Sequence, residues 1–94
     1  MTTFDEHYSQ VVAEAEAEGP EAVLELHMFE TRYHLAGRLI ARRRELHMTQ
    51  QQLAVVSGIH QSEISRIEGG NANPTLKTLE ALTSALGVGL SITG

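Results

Sequence analysis

The sequence predicts an all-α fold, with a helical extension at the N-terminus and one short β-strand at the C-terminus. Apolar residues recur three or four positions apart through most of the 94 residues, which is the spacing of one helix face. Only at the end do they alternate with single small residues, at Val88, Leu90 and Ile92. Alternation with a period of two is typical of a strand.

Charge divides the chain into two parts. Residues 1–34 hold eight carboxylates and one arginine, a net charge of −7, whereas residues 35–94 hold six cations and four carboxylates, a net charge of +2. Such an asymmetry predicts separate tasks for the two parts. We therefore expect an acidic helical extension at 1–34, a helical domain at 35–88 that tolerates a polyanion, and a strand at 89–94.

The composition argues against several classes of protein. There is no cysteine, so neither a disulfide nor a thiolate site is expected. No apolar run reaches the length of a membrane span and no signal peptide opens the chain, so we expect a cytoplasmic protein. His27, Glu30 and His34 share a helix face, but without the His-x-x-x-His spacing of a helical metal site. We expect no metal, no cofactor and no enzymatic activity.

The first two predicted helices cover the extension and the start of the domain. A helix over 4–18 ends at Gly19, and Pro20 begins the next helix. That second helix, over 21–47, carries two apolar stripes, as expected of a helix that is covered on two sides. Gly37 leaves open whether it is continuous or bent into two helices.

Two short helices come next. Thr49 and Gln52 form a capping box at the start of a helix over 50–57. The residues expected to be buried on it are Leu53, Ala54 and Val56. Gly58 suits the left-handed position that ends this helix. Another helix, over 61–68, follows after a short turn.

The last predicted helix begins at Asn73 and Pro74, with the proline in its first position, and ends at Gly87. The leucines of its buried face are Leu76, Leu79, Leu82 and Leu86. The strand after it has no partner strand in the chain, and a symmetry-related copy is the simplest one. We therefore expect a homodimer with Leu90 and Ile92 at the contact.

The predicted helix over 61–68 has a polar face without carboxylates. Ile64 and Ile67 occupy its apolar side. The opposite arc, about 140° wide at 100° per residue, holds Gln61, Ser62, Ser65 and Arg66. Amide, hydroxyl and guanidinium groups can pair with base edges in the major groove, whereas phosphates would repel a carboxylate. In an acidic chain this face predicts a DNA-reading helix, and an ordinary helical hairpin is the alternative.

Three stretches together resemble the Xre/Cro family of phage-repressor-like DNA-binding domains. They are TQQQLA at 49–54, SGIHQSEISRIEGG at 57–70 and NPTLKTLEALTSALGV at 73–88. The resemblance implies a five-helix domain whose second and third helices contact DNA. The segment 88–94 replaces the fifth helix here. His60 departs from the pattern, because the family usually has Ser or Thr at this helix cap.

The resemblance also implies roles for single residues. Arg43 and Glu68 match a family pair that forms an ion pair between the first and third helices. Gln50 matches a phosphate contact that the N-terminus of its helix assists. The residues expected at phosphates are Gln50, Gln51, His60, Asn71 and Asn73.

The order of extension, Xre domain and strand resembles the HigA-type antitoxins of toxin–antitoxin operons. It implies a repressor that acts as a dimer on a palindromic operator and binds a HigB/RelE-like, mRNA-cleaving toxin. The residues expected to bind the toxin are Phe4, Tyr8, Val11, Phe29 and Tyr33. Two alternatives stay open: a stand-alone Xre-type regulator without a toxin, and a toxin-neutralising protein that does not read DNA.

Overall fold

The computed structural model describes residues 3–92, without the side chain of Phe4, and this part of the chain contains five helices and no strand. The helices are α1 (Phe4–Glu18), α2 (Pro20–Glu45), α3 (Gln50–Ser57), α4 (Gln61–Glu68) and α5 (Leu76–Ala85). They form two compact units, one up to Thr31 and one from Arg32 on. The all-helical class is confirmed, and none of the described helices is long and apolar enough to cross a membrane.

The first unit, called the acidic hairpin below, consists of α1 and the part of α2 up to Thr31. Thr3 caps α1, because its hydroxyl accepts the N–H of Glu6 at 3.2 Å while the Glu6 carboxylate accepts the N–H of Thr3 at 3.3 Å. Gly19 ends α1 with a φ of 117°, and Pro20 begins α2 as expected. The predicted helix over 4–18 is therefore confirmed at both ends.

The acidic hairpin has no fully buried residue among those the structure describes. Its half-buried apolar residues are small or medium in size: Val11, Val12, Ala15, Ala22, Val23 and Leu26. The Tyr8 hydroxyl donates a hydrogen bond to the Glu30 carboxylate and so links the two helices. Leu24, Met28 and Phe29 are exposed on α2, with 59, 42 and 54% of their surface accessible.

Helix α2 runs through Gly37 as one continuous helix, which resolves the open expectation. It ends at Glu45 in a Schellman turn, in which His47 donates its N–H to the carbonyl of Arg44 at 3.0 Å and Met48 donates to Arg43 at 3.1 Å. This turn needs a left-handed residue, and His47 adopts a φ of 54° to supply it. Glycine is the usual residue there, so His47 carries backbone strain.

The second unit is built on one core to which four helices contribute. Its buried cluster consists of Leu39 from α2, Leu53 from α3, Ile64 and Ile67 from α4, and Leu82 and Leu86 from α5 and its end. Met48 and Ile59, in the turns before α3 and α4, pack against this cluster. The core therefore fixes the two short helices that carry the candidate site.

Helix α3 has the predicted cap and end. The Thr49 hydroxyl accepts the N–H of Gln52 at 3.0 Å, and Gly58 is left-handed with a φ of 77°. The predicted burial of Val56 is wrong, because 61% of this side chain is exposed. The buried face of α3 centres between Leu53 and Ala54, and Val56 lies about 60° beyond Leu53, away from that centre.

The predicted start of the last helix is wrong. The Thr75 hydroxyl accepts the N–H of Thr78 at 3.1 Å, so α5 begins at Leu76 and Asn73 with Pro74 lies in the preceding loop. The first N–H groups of a helix have no partner within the helix, and the hydroxyl of a threonine cap accepts one of them. Leu76 is 64% exposed and does not join the buried face.

The predicted C-terminal strand is also wrong over the described residues. Gly87 ends α5 with a φ of 69°, and the Val88 N–H donates to the carbonyl of Thr83 at 2.9 Å. Residues 88–92 then continue without regular structure, because the described chain offers no second strand to accept their hydrogen bonds. Residues 93 and 94 of the predicted strand lie outside the described part.

Candidate nucleic-acid interface

The outer face of α4 carries four polar side chains. All four are exposed: Gln61, Ser62, Ser65 and Arg66. On the opposite side, Ile64 and Ile67 have only 1 and 4% of their surface accessible to solvent. Neither carboxylate of the helix lies in the exposed set, since Glu63 is half-buried and Glu68 is engaged elsewhere. The structure therefore places the four predicted base-contact residues together, on one face that has one positive and no negative charge.

The N-terminus of α4 has no side-chain cap. His60 occupies the cap position, but its imidazole makes no capping hydrogen bond. Its carbonyl accepts the N–H groups of Glu63 at 3.0 Å and Ile64 at 3.1 Å. A Ser or Thr cap would have accepted a first-turn N–H with its hydroxyl. The first turn thus keeps donor capacity, with the positive end of the helix dipole beside the polar face.

Arg43 and Glu68 join the end of α2 to the end of α4. Arg43 Nε donates to Glu68 Oε2 at 2.8 Å, and an Nη donates to Oε1 at 2.8 Å. The second Nη donates to the carbonyl of Met48 at 2.8 Å. The two side chains are only 11 and 6% exposed. The hydrogen bond to Glu68 raises the pKa of Arg43 above its ordinary value, although burial of the guanidinium opposes that shift.

The three glutamines at the start of α3 have different surroundings. Gln52 completes the capping box, since its Oε1 accepts the N–H of Thr49 at 2.8 Å. Gln50 Nε2 donates to Glu68 Oε1 at 3.1 Å, and Gln51 is exposed. Sequence reasoning missed the bond from Gln50 to Glu68, because it joins residues 18 positions apart and no spacing rule signals it.

The remaining phosphate candidates lie in the loop after α4. Asn71 and Asn73 are exposed, and the backbone N–H of Asn71 donates to the carbonyl of Arg66 at 3.0 Å. Arg42, near the end of α2, is engaged within the domain. Its Nε donates to the carbonyl of Leu86 at 2.9 Å, where a cation complements the C-terminal end of α5.

The residues expected at toxin and dimer contacts belong to segments of the chain other than α4. Of the toxin set, Tyr8 is bonded to Glu30, Val11 is half-buried, Phe29 and Tyr33 are exposed, and the side chain of Phe4 lies outside the description. Of the dimer set, Leu90 is 43% exposed and Ile92 is fully exposed. The described residues contain no group of three or more His, Asp or Glu side chains that could hold a metal ion.

Relatives of known class match more than half of the chain. A helix-turn-helix-type transcriptional regulator of Haemophilus influenzae, itself uncharacterised, is 46% identical over 61 residues, which are 65% of this chain and 62% of that protein. The immunity repressor of Bacillus phage phi105 is 43% identical over 54 residues, 57% of this chain and 38% of the repressor. The chain thus spans less than two thirds of the length of either relative. No solved structure matches it significantly.

A third relative and a family model agree with these two. An uncharacterised helix-turn-helix-type transcriptional regulator of Sinorhizobium fredii is 46% identical over 55 residues, covering 57% of this chain and 71% of that protein. The model of the helix-turn-helix family matches residues 39–92, more than half of the chain and all of α3, α4 and α5. This protein therefore belongs to the Xre/Cro-type helix-turn-helix family of DNA-binding transcriptional regulators.

Proposed function

We propose that this protein is a sequence-specific transcriptional repressor that reads DNA with the outer face of α4. The observation that carries the proposal is the exposed, carboxylate-free group of amide, hydroxyl and guanidinium side chains on a helix anchored by Ile64 and Ile67. Arg pairs bidentately with guanine and Gln with adenine in the major groove, and Ser pairs with either. Arg66 and Gln61 then carry most of the base preference, with Ser62 and Ser65 beside them.

Phosphate contacts would hold α4 in register on the duplex. We assign them to Gln50, Gln51, His60, Asn71 and Asn73. Gln51, His60 and the two asparagines are exposed at the ends of α3 and α4 or in the adjoining loop. The uncapped first turn of α4 adds backbone donors at which an anion is favoured. Such contacts position the protein without reading sequence.

Recognition of a palindromic operator requires two copies of α4. Each copy contributes a helix of eight residues, and the two must reach successive major grooves about 34 Å apart. We assign the dimer contact to the tail after α5, where Leu90 and Ile92 expose apolar surface. Burial of these side chains against a second copy would remove that surface from water.

The test of DNA reading compares two exposed arginines. A selection from random duplexes first identifies the preferred sequence, and affinities are then measured on it and on a scrambled duplex. Arg66→Ala should cost about 1–3 kcal/mol on the preferred duplex and relax the preference at one base pair. Arg38→Ala removes the same charge outside α4 and should weaken both duplexes alike. Equal affinity of the wild type for both duplexes would contradict sequence-specific binding.

A second proposed role, as the HigA-type antitoxin of a HigB/RelE-like toxin, is favoured by the charge of the acidic hairpin. Up to Thr31 the chain holds eight carboxylates and no lysine or arginine. An mRNA-cleaving toxin needs a cationic surface for RNA, and such a surface is complementary to this hairpin. Apolar anchors would come from Phe4, Tyr8, Val11, Phe29 and Tyr33. Without a toxin, the same chain would act as a stand-alone regulator.

Co-purification with the product of the neighbouring gene tests whether the protein is an antitoxin or a stand-alone regulator. The triple change of Glu14, Glu16 and Glu18 to Gln removes three exposed charges of α1 and should weaken retention of the toxin, most clearly at low salt. The double change Phe4→Ala with Tyr8→Ala should weaken it as well. Full retention by both variants, with circular dichroism unchanged, would show that the hairpin is not the toxin-binding part.

A further inference from the structure

Glu68 is the shared hydrogen-bond acceptor of two side chains from different helices. Its Oε1 accepts from an Nη of Arg43 at 2.8 Å and from Nε2 of Gln50 at 3.1 Å. Its Oε2 accepts from Nε of Arg43 at 2.8 Å. Only 6% of the Glu68 side chain is exposed, so water does not compete freely for these positions. The carboxylate thus ties the first residue of α3 to an ion pair inside the domain.

The chemistry of the carboxylate orients the Gln50 amide. An ionised carboxylate can only accept hydrogen bonds, so Gln50 must present its NH2 end to Glu68 rather than its carbonyl. One N–H of Nε2 is used in this bond, and the other N–H is left for a second acceptor. A glutamine side chain otherwise loses considerable rotamer freedom when it becomes ordered, which opposes binding. Glu68 removes that cost before a ligand arrives.

We propose that Glu68 is a positioning residue for phosphate recognition, which holds the Gln50 amide so that its second N–H meets a DNA phosphate. This inference rests on the proposed DNA binding. Glu68 is also the last residue of α4, two positions after Arg66. The same carboxylate therefore sets the phosphate contact of α3 relative to the base-reading face of α4.

Removal of the Glu68 carboxylate tests whether this group strengthens or weakens binding to DNA. Loss of a negative charge from a DNA-binding domain should by itself strengthen binding to a polyanion. We expect Glu68→Ala to do the opposite and to weaken binding to preferred and scrambled duplexes by the same factor, about tenfold. Glu63→Ala, which removes the same charge from the same helix, should leave affinity unchanged or raise it. Tighter binding by Glu68→Ala would overturn the proposal.

A double-mutant cycle separates positioning from a structural role. Gln50→Leu should also weaken binding about tenfold, and Glu68→Ala should add nothing to it. Gln51→Leu is the matched control, and its effect should multiply with that of Glu68→Ala. A purely structural role would make the loss from Glu68→Ala independent of Gln50, and such independence would overturn the inference. A wild type that binds no duplex would instead reject the proposed function itself.

Folding is monitored by circular dichroism at the temperature of the binding assay. If Glu68→Ala does not fold there, Glu68→Asp replaces it in the cycle, since it keeps the charge for Arg43 but is one methylene too short to reach both partners. The same dependence on Gln50 is expected of this variant. The side-chain NH2 signals of Gln50 in an NMR spectrum provide a second readout, and they should move in Glu68→Asp but not in Glu63→Ala.

Discussion

The acidic hairpin and the domain from Arg32 on are built on different physical principles. The domain contains every fully buried residue that the structure describes, and it holds seven cations against four carboxylates. In the hairpin no described apolar residue is more than half-buried, and the hairpin carries eight carboxylates without a lysine or arginine. The domain is thus held by a core that fixes the geometry of a site. The hairpin is held by half-buried apolar side chains, the Thr3 cap and the bond between Tyr8 and Glu30, and it displays charge.

The two units should therefore differ in which substitutions they tolerate. A site that must match the spacing of base edges needs helices that cannot shift, and close packing around Ile64 and Leu53 provides this. A surface that acts through charge tolerates more movement, because electrostatic attraction extends over about a Debye length. Three experiments test this difference between the two units.

The largest effect is expected when a buried leucine of the domain is compared with an exposed leucine of the hairpin. Leu82, which is 1% exposed, contacts the core of the domain, and Leu82→Ala should lower the free energy of unfolding by about 3 kcal/mol through lost burial and a cavity. Leu24 in the hairpin is 59% exposed, and Leu24→Ala should change the free energy of unfolding by less than about 0.5 kcal/mol. Urea unfolding measures both. Similar losses would show that the hairpin is buried against something in solution.

A smaller effect, an increase in stability, is expected at His47, the left-handed residue in the turn after α2. His47→Gly should raise the free energy of unfolding by about 1 kcal/mol, because glycine adopts a φ of 54° without the clash that a Cβ causes. The matched control is Gly70→Ala, at a φ of 73° with no atom within 4 Å of the added Cβ. Gly70→Ala should lower the free energy of unfolding by about 1 kcal/mol. No gain at His47 would mean that its imidazole makes a compensating interaction.

The smallest effect concerns the hairpin alone. The hydrogen bond that Tyr8 donates to Glu30, with smaller contributions from burial and from the carboxylate charge, raises the pKa of Tyr8 above its ordinary value. The folded chain therefore keeps the phenol proton to higher pH than the unfolded chain. The resulting stability is fully present below about pH 10 and is lost as the pH rises through the folded-state pKa.

Ultraviolet absorbance of the phenolate measures this shift directly. Tyr33→Phe leaves Tyr8 as the single tyrosine of the chain. In that background, Glu30→Gln should lower the titration midpoint of Tyr8 towards its ordinary value. Glu14→Gln serves as the control, since it removes one charge of α1 without touching this bond. An unchanged midpoint in Glu30→Gln would argue against the link between the two helices.

Local signals in the sequence account for most of the helices and for the residues on the polar face of α4. The Thr49 capping box, Gly58 and Pro20 act within three or four residues, so their effects could be predicted without tertiary structure. The division of α4 into an isoleucine side and a polar side follows from helix periodicity alone. Helix-turn-helix membership follows from the same stretches of sequence.

Contacts between distant parts of the chain set which polar side chains are engaged and whether the tail after α5 forms a strand. The bond from Gln50 to Glu68 and the one from Arg42 to Leu86 join residues 18 and 44 positions apart, and such contacts depend on how helices cross. The start of α5, in contrast, is set locally, because the Thr75 hydroxyl accepts the N–H of Thr78 only three positions on, and the choice of Asn73 overlooked this cap. The tail at 88–92 has the alternation of a strand but no mate in the described chain, and a strand requires hydrogen bonds that no sequence pattern can supply by itself.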